Sequence, residues 1–106
     1  MSVLMTLSVN GDPKKLEENA ASDPDAMQAI LESAKAHGLI AHRFYGSQDG
    51  QIMVVDEWPD EQSFQSFFEE NNERIGALMQ AAGVTSEPQP KFWRTLESHD
   101  QFGWGA

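Results

Sequence analysis

Cysteine is absent from this 106-residue chain. Disulfides, thiolate catalysis and thiolate metal sites are therefore excluded. Basic residues are scarce, with 7 Lys and Arg against 17 Asp and Glu and a net charge of −10. Such a surface cannot neutralise phosphates, and an anionic bilayer repels it, so neither nucleic acid nor membrane is expected as a partner. No apolar run approaches the ~20 residues of a membrane span. The first strand signal starts almost at Met1, which leaves no room for a signal peptide, and a cytoplasmic protein is expected. Histidine is confined to His37, His42 and His99, with no HxH or HxxxH pair, so no metal site is expected. Gly46 to Gly50 joins two strands, not a strand and a helix, and so is no phosphate-binding loop. Repeats and low-complexity stretches are also missing.

The hydrophobic content of 40% lies in the globular range. A chain of this length builds one two-layer core, so residues 1–106 read as a single domain with a core over 3–97 and an aromatic tail over 98–106. The organising stretch is 51–83. Ile52, Met53, Val54 and Val55 follow the Asp49-Gly50 turn signal and predict a strand over 52–57. Apolar on both faces, that strand belongs in the middle of a sheet. Phe64, Phe67, Phe68, Asn71, Ile75, Leu78, Met79 and Ala82 then fall on one helical stripe. Asp60 is placed to cap this helix, Glu61 to meet its positive end, and Gly83 to stop it. Gly76 inside it costs ~1 kcal/mol relative to alanine, and is read as a close helix contact or a bend.

Residues 3–9 alternate, with Val3, Met5, Leu7 and Val9 on one face and Leu4, Thr6 and Ser8 on the other. Asp12-Pro13 and Asp23-Pro24 are two cap-plus-proline signals, predicting a helix broken near Pro24 that ends at Gly38. His37 in its last turn favours the carbonyl end of the helix dipole. A second strand is predicted over 39–46, with Ile40, His42 and Phe44 on one face and Ala41, Arg43 and Tyr45 on the other. The turn after it sets the partner of His42: Glu57 for a two-residue loop, Asp56 for a three-residue loop ending in a left-handed Gly50, Val55 for a four-residue loop. The Asp56 register is preferred. After a loop over 84–90, a fourth strand is predicted over 91–97, with Phe92, Arg94 and Leu96 sharing a face. Phe102 and Trp104 in the glycine-rich tail are expected to dock on this subunit or a partner.

The order βαββαβ predicts a ferredoxin-like α+β fold: a four-stranded antiparallel sheet, order 4-1-3-2, with both helices on one face. The opposite face then carries Leu4, Tyr45, Met53, Val55 and Trp93, roughly several hundred Å² of apolar surface, and predicts a homodimer through the open sheet face.

The stretch VVDEWPDEQSFQSFF, with AHGLIAHRFYGSQDGQ before it, resembles the antibiotic biosynthesis monooxygenase family, the dimeric α+β barrels. The resemblance covers roughly residues 3–97. It implies dimers whose two sheets form one barrel, with a small pocket in each subunit between sheet and helices. Some members oxidise polycyclic phenols or quinols with O₂ and neither metal nor flavin, some degrade haem, and many have no assigned activity. The haem-degrading motif is missing: Phe67 stands where those members have Trp, Ala77 where they have the haem-ligating His, and Thr and Ser where they have an Asn in strand one. Trp58 and Arg94 match pocket positions of the cofactor-free oxidases loosely, and no Asn or Tyr partner carries over.

These residues give candidate roles. His42 can act as a general base on a phenol, with Asp56 (or Glu57) fixing its tautomer; the bland alternative is a buried histidine held by that carboxylate. Arg94 can stabilise a phenolate or superoxide charge, or else form a salt bridge to Asp56 or across the dimer. Trp58 can stack on an aromatic ligand or serve as core where strand meets helix. Phe44, Phe64, Phe67, Phe68 and Met79 would line a pocket, or simply fill the core. The expected partners are a second copy of the chain and a small aromatic or hydrophobic ligand, with no cofactor.

Overall fold

The computed structural model describes residues 2–103. Its sheet is built around the run predicted to be central: β3 (Gln51–Trp58) lies between β2 (Ala41–Gly46) and β1 (Val3–Asn10), and β4 (Pro90–Arg94) flanks β1. All three pairings are antiparallel, and the order β2-β3-β1-β4 is the expected 4-1-3-2 read from the other edge. Three helices cover one face: α1 (Pro13–Ser22), α2 (Pro24–Ala36) and α3 (Glu61–Ala81). None of the helices among the described residues is long and apolar enough to cross a membrane.

Local chemistry explains the boundaries. The Asp12 carboxylate accepts from the Lys14 amide and that of Asp23 from the Ala26 amide, and each aspartate precedes a proline at the first helical position. Asp23 both ends α1 and starts α2, which is why the first helical region breaks there. Asp60 caps α3 by accepting from the backbone amide and the hydroxyl of Ser63. Those two hydrogen bonds, the backbone one foremost, hold its carboxyl below the usual range. Gly83, at φ 74°, follows the end of α3, in the left-handed region where a side chain would be strained.

Gly50 decides the register of the β2–β3 hairpin. Its φ of 85° closes a three-residue loop, with the Ser47 amide donating to the Gln51 carbonyl. His42 therefore stands opposite Asp56 and Phe44 opposite Val54. Of the three registers open in the sequence, this is the preferred one.

Strict alternation then sorts the faces. Met5, Leu7, Val9, Ile52, Val54 and Trp58 point to the helices and form the core with Leu16, Ala34, Phe64, Phe67, Leu78, Met79 and Ala82. Asn71 is buried on the same stripe, where its amide donates to the Ser33 hydroxyl at 2.8 Å and the Phe67 carbonyl at 3.0 Å, tying α3 to α2. His37 reaches across the same two helices to the Glu70 carboxylate. The other sheet face keeps Leu4, Tyr45, Met53 and Trp93 exposed. There the Trp93 indole donates to the Thr6 hydroxyl at 2.8 Å, under the Lys91 ammonium.

Three details differ from the sequence reading. The last strand stops at Arg94 because its partner β1 begins at Val3, directly opposite, so residues 95–97 have no ladder to join. Gly76 marks no close helix contact, since no atom stands within 4 Å of where its Cβ would be. Phe102 is 93% exposed and so does not dock on its own chain; Trp104 lies outside the described residues.

Candidate functional site

A cavity opens between α2, α3 and the helix-facing side of β2, β3 and β1. Its inner space is about 90 Å³, and the groove reaches about 660 Å³ when the solvent at its mouth is included. The sequence-predicted Phe44, Phe64, Phe67, Phe68 and Met79 all line it, as do His42 and Asp56. The remaining wall is apolar: Met5, Leu7 and Val54 from the sheet, Met27, Ile30, Leu31 and Ala34 from α2, Leu39 beyond it, and Ile75 and Leu78 from α3. His42 and Asp56 are thus the two polar side chains in an otherwise hydrocarbon-lined space.

The polar pair is held in a fixed order. His42 Nδ1 lies 2.7 Å from Asp56 Oδ1, and the Trp58 indole N–H donates to Asp56 Oδ2 at 3.2 Å. The arrangement follows from strand geometry. Residues 56 and 58 are same-face neighbours on β3, and residue 42 is the cross-strand partner of 56. Asp56 is 5% exposed, and both its oxygens are occupied. Among the described residues His42 is its one ion-pair partner. The carboxylate accepts only, so a neutral His42 carries its proton on Nδ1 and presents the Nε2 lone pair. The His42 side chain remains one-third exposed, and its ring packs edge-on against Phe44 at 5.0 Å. Such a group can accept a proton from a hydroxyl brought into the cavity.

Two candidates stand elsewhere. Arg94 does not line the cavity. It faces the helix side but sits on β4, three strand spacings from β2, on the order of 14 Å. No carboxylate pairs with it among the described residues, so the expected alternative of a bridge to Asp56 is not formed. Trp58 is fully buried behind the cavity wall, packed on Phe64 and Phe67 at ring separations of 5.8 and 5.4 Å. Glu57 points to the open face and accepts from the Ser2 hydroxyl, not from His42. Met27, Ile30, Leu31 and Ala34 fall on one helical stripe of α2 in the sequence but were given no part in a site. The signal was the stripe itself, since any pocket between sheet and helices needs walls from both helical regions.

No protein-family model matches this chain, and no curated protein is significantly similar in sequence. Solved structures do match at the level of fold. One is a dimeric ferredoxin-like protein from an uncultured marine organism, with 17% identity, 92% of this chain and 90% of the other covered, and a TM-score of 0.64. The class is therefore the ferredoxin-like α+β fold. Within it stands a monooxygenase from Streptomyces coelicolor solved in complex with nanaomycin D, at 17% identity, 92% and 89% coverage and a TM-score of 0.68. A Deinococcus radiodurans structure provisionally named an antibiotic biosynthesis monooxygenase matches at 13% identity, 95% and 99% coverage and a TM-score of 0.59. The resemblance read from residues 3–97 is met at this level: the chain shares the fold of antibiotic biosynthesis monooxygenase-like proteins.

Proposed function

We propose that the chain is a monooxygenase-like protein that binds a small aromatic or hydrophobic molecule between sheet and helices. The observation that carries this reading is the single polar pair, His42 and Asp56, in an apolar cavity. A ligand with one hydroxyl on an apolar ring fits that distribution. The inner volume of about 90 Å³ suits one ring better than several. The Streptomyces structure, with its bound nanaomycin D, supports ligand binding by this fold.

As an enzyme, the protein works as a cofactor-free oxygenase. His42 Nε2 takes the phenol proton while Asp56 stabilises the imidazolium that results. The phenolate, richer in electrons than the phenol, is oxidised by O₂. Net, a phenol and O₂ give a quinone and water. Arg94 has no part in this scheme. Oxygen uptake with a panel of single-ring phenols and hydroquinones tests it. Consumption dependent on protein is expected; none across the panel would contradict it.

A second reading is a non-catalytic binding or structural dimer. It is favoured by the small inner volume, below the ~300–1,000 Å³ usual for ligand sites, and by the full satisfaction of Asp56. Both readings share a cytoplasmic homodimer that covers Leu4, Tyr45, Met53 and Trp93 with the same face of a second copy, as the dimeric ferredoxin-like neighbours suggest. Light scattering should give twice the mass of one chain, and Met53→Glu in the centre of that face should give a monomer. A monomeric wild type at micromolar concentration would remove the dimer.

A further inference from the structure

We propose that Trp58 is a positioning residue, acting on the cavity through Asp56 and not by contact with a ligand. The indole N–H holds Oδ2 at 3.2 Å and so leaves Oδ1 as the oxygen that meets His42 at 2.7 Å. A buried indole needs an acceptor, and a neutral amide at position 56 would satisfy it equally well. An aspartate there brings a charge into a site 5% exposed. That charge has a use only on its other side, where it fixes the proton of His42 on Nδ1 and supports the imidazolium. Trp58 is in turn immobilised by Phe64 and Phe67, so the orientation of the carboxylate is inherited from the core. The order is core aromatic, carboxylate, imidazole, cavity. Each link is set by the period-two alternation of β3 and the hairpin register.

The groups that could disturb this relay are few. α2 and α3 contribute only apolar side chains to the cavity, and β1 contributes Met5 and Leu7. On the helix side His37 is paired with Glu70 and stands edge-on to Phe67 at 6.4 Å, while Arg43 and Glu57 flank the pair in the chain but point to the opposite sheet face. A proton gained by His42 draws the Asp56 charge towards the imidazolium and weakens the Trp58 hydrogen bond. A tryptophan that only fills space has no such coupling.

The test is an NMR pH titration of the full chain, following the three indole N–H signals and the His42 ring. Trp58→Phe identifies the Trp58 signal by its loss. The Trp58 indole proton is expected to move upfield on acidification through the same midpoint as His42, and to lose that response in His42→Gln. In Trp58→Phe, which keeps an aromatic ring against Phe64 and Phe67, the imidazole nitrogen shifts of His42 should leave the pure Nδ1–H pattern for a mixture of tautomers. An indole signal that stays still while His42 titrates would overturn the proposal. So would a response that persists in His42→Gln, because it would then follow His37. Neither result depends on turnover, so the relay can fail while the oxygenase reading stands, and the reverse.

Discussion

Trp58→Ala is expected to lower stability by about 3–5 kcal/mol, the usual range for an aromatic core truncation. Trp58 is fully buried and touches Phe64 and Phe67, so the cavity left behind is lined by rigid rings that cannot collapse into it. The change also strips Asp56 Oδ2 of its donor, and a buried acceptor left unpaired adds to the loss. Against a total of about 5–15 kcal/mol for a domain, this is a large share of the margin. Thermal unfolding should show a midpoint lower by on the order of 20 °C. Trp58→Phe should fall by much less, because it retains most of the ring volume. A loss under about 1 kcal/mol for the alanine variant would mean that strand β3 does not enter α3 through a packed aromatic core.

His42→Gln has the second large effect, on rate and not on stability. Glutamine can still donate to Asp56, so the carboxylate keeps both partners. It cannot accept and release a proton near neutral pH. Removing a general base lowers turnover by ~10²–10⁴-fold, and oxygen uptake with the best phenol of the panel should fall by that amount. The apolar walls are untouched, so ligand affinity should hold within a few-fold and the loss should lie in kcat. Uptake undiminished in His42→Gln would place the base elsewhere. A wild type that binds phenols without consuming oxygen would select the non-catalytic reading.

Much of this was legible in the sequence. Alternation over 3–9, the unbroken apolar run of Ile52 to Val55, and the stripe from Phe64 to Ala82 are strong signals that long-range packing had no reason to override. The register of His42 was legible because one residue, Gly50, decides among the loops, and its left-handed φ matches a glycine. Arg94 shows the limit. Alternation put it on the face of His42, but sharing a face brings residues together only on neighbouring strands, and the order 4-1-3-2, which the sequence also predicts, keeps β4 at the far edge from His42. Trp58 shows another. An aromatic at a strand end can stack on a ligand or fill a core, and the choice belongs to how α3 packs on β3. The end of the last strand was hidden for a similar reason. Thr95 and Leu96 suit a strand, but β1 offers them no partner beyond Val3. Gly76 carries no packing signal at all, and nothing in the structure explains it.

The claim on which the rest depends is that His42 faces an accessible ligand site. NMR of its ring resonances, with and without a panel of single-ring phenols and quinones, reads this directly. The account predicts that a binding ligand shifts the His42 ring signals and moves its apparent titration midpoint. Ring signals unmoved by every ligand, with the imidazole locked in one protonation state, would make His42 a structural residue. The oxygenase mechanism would go with it.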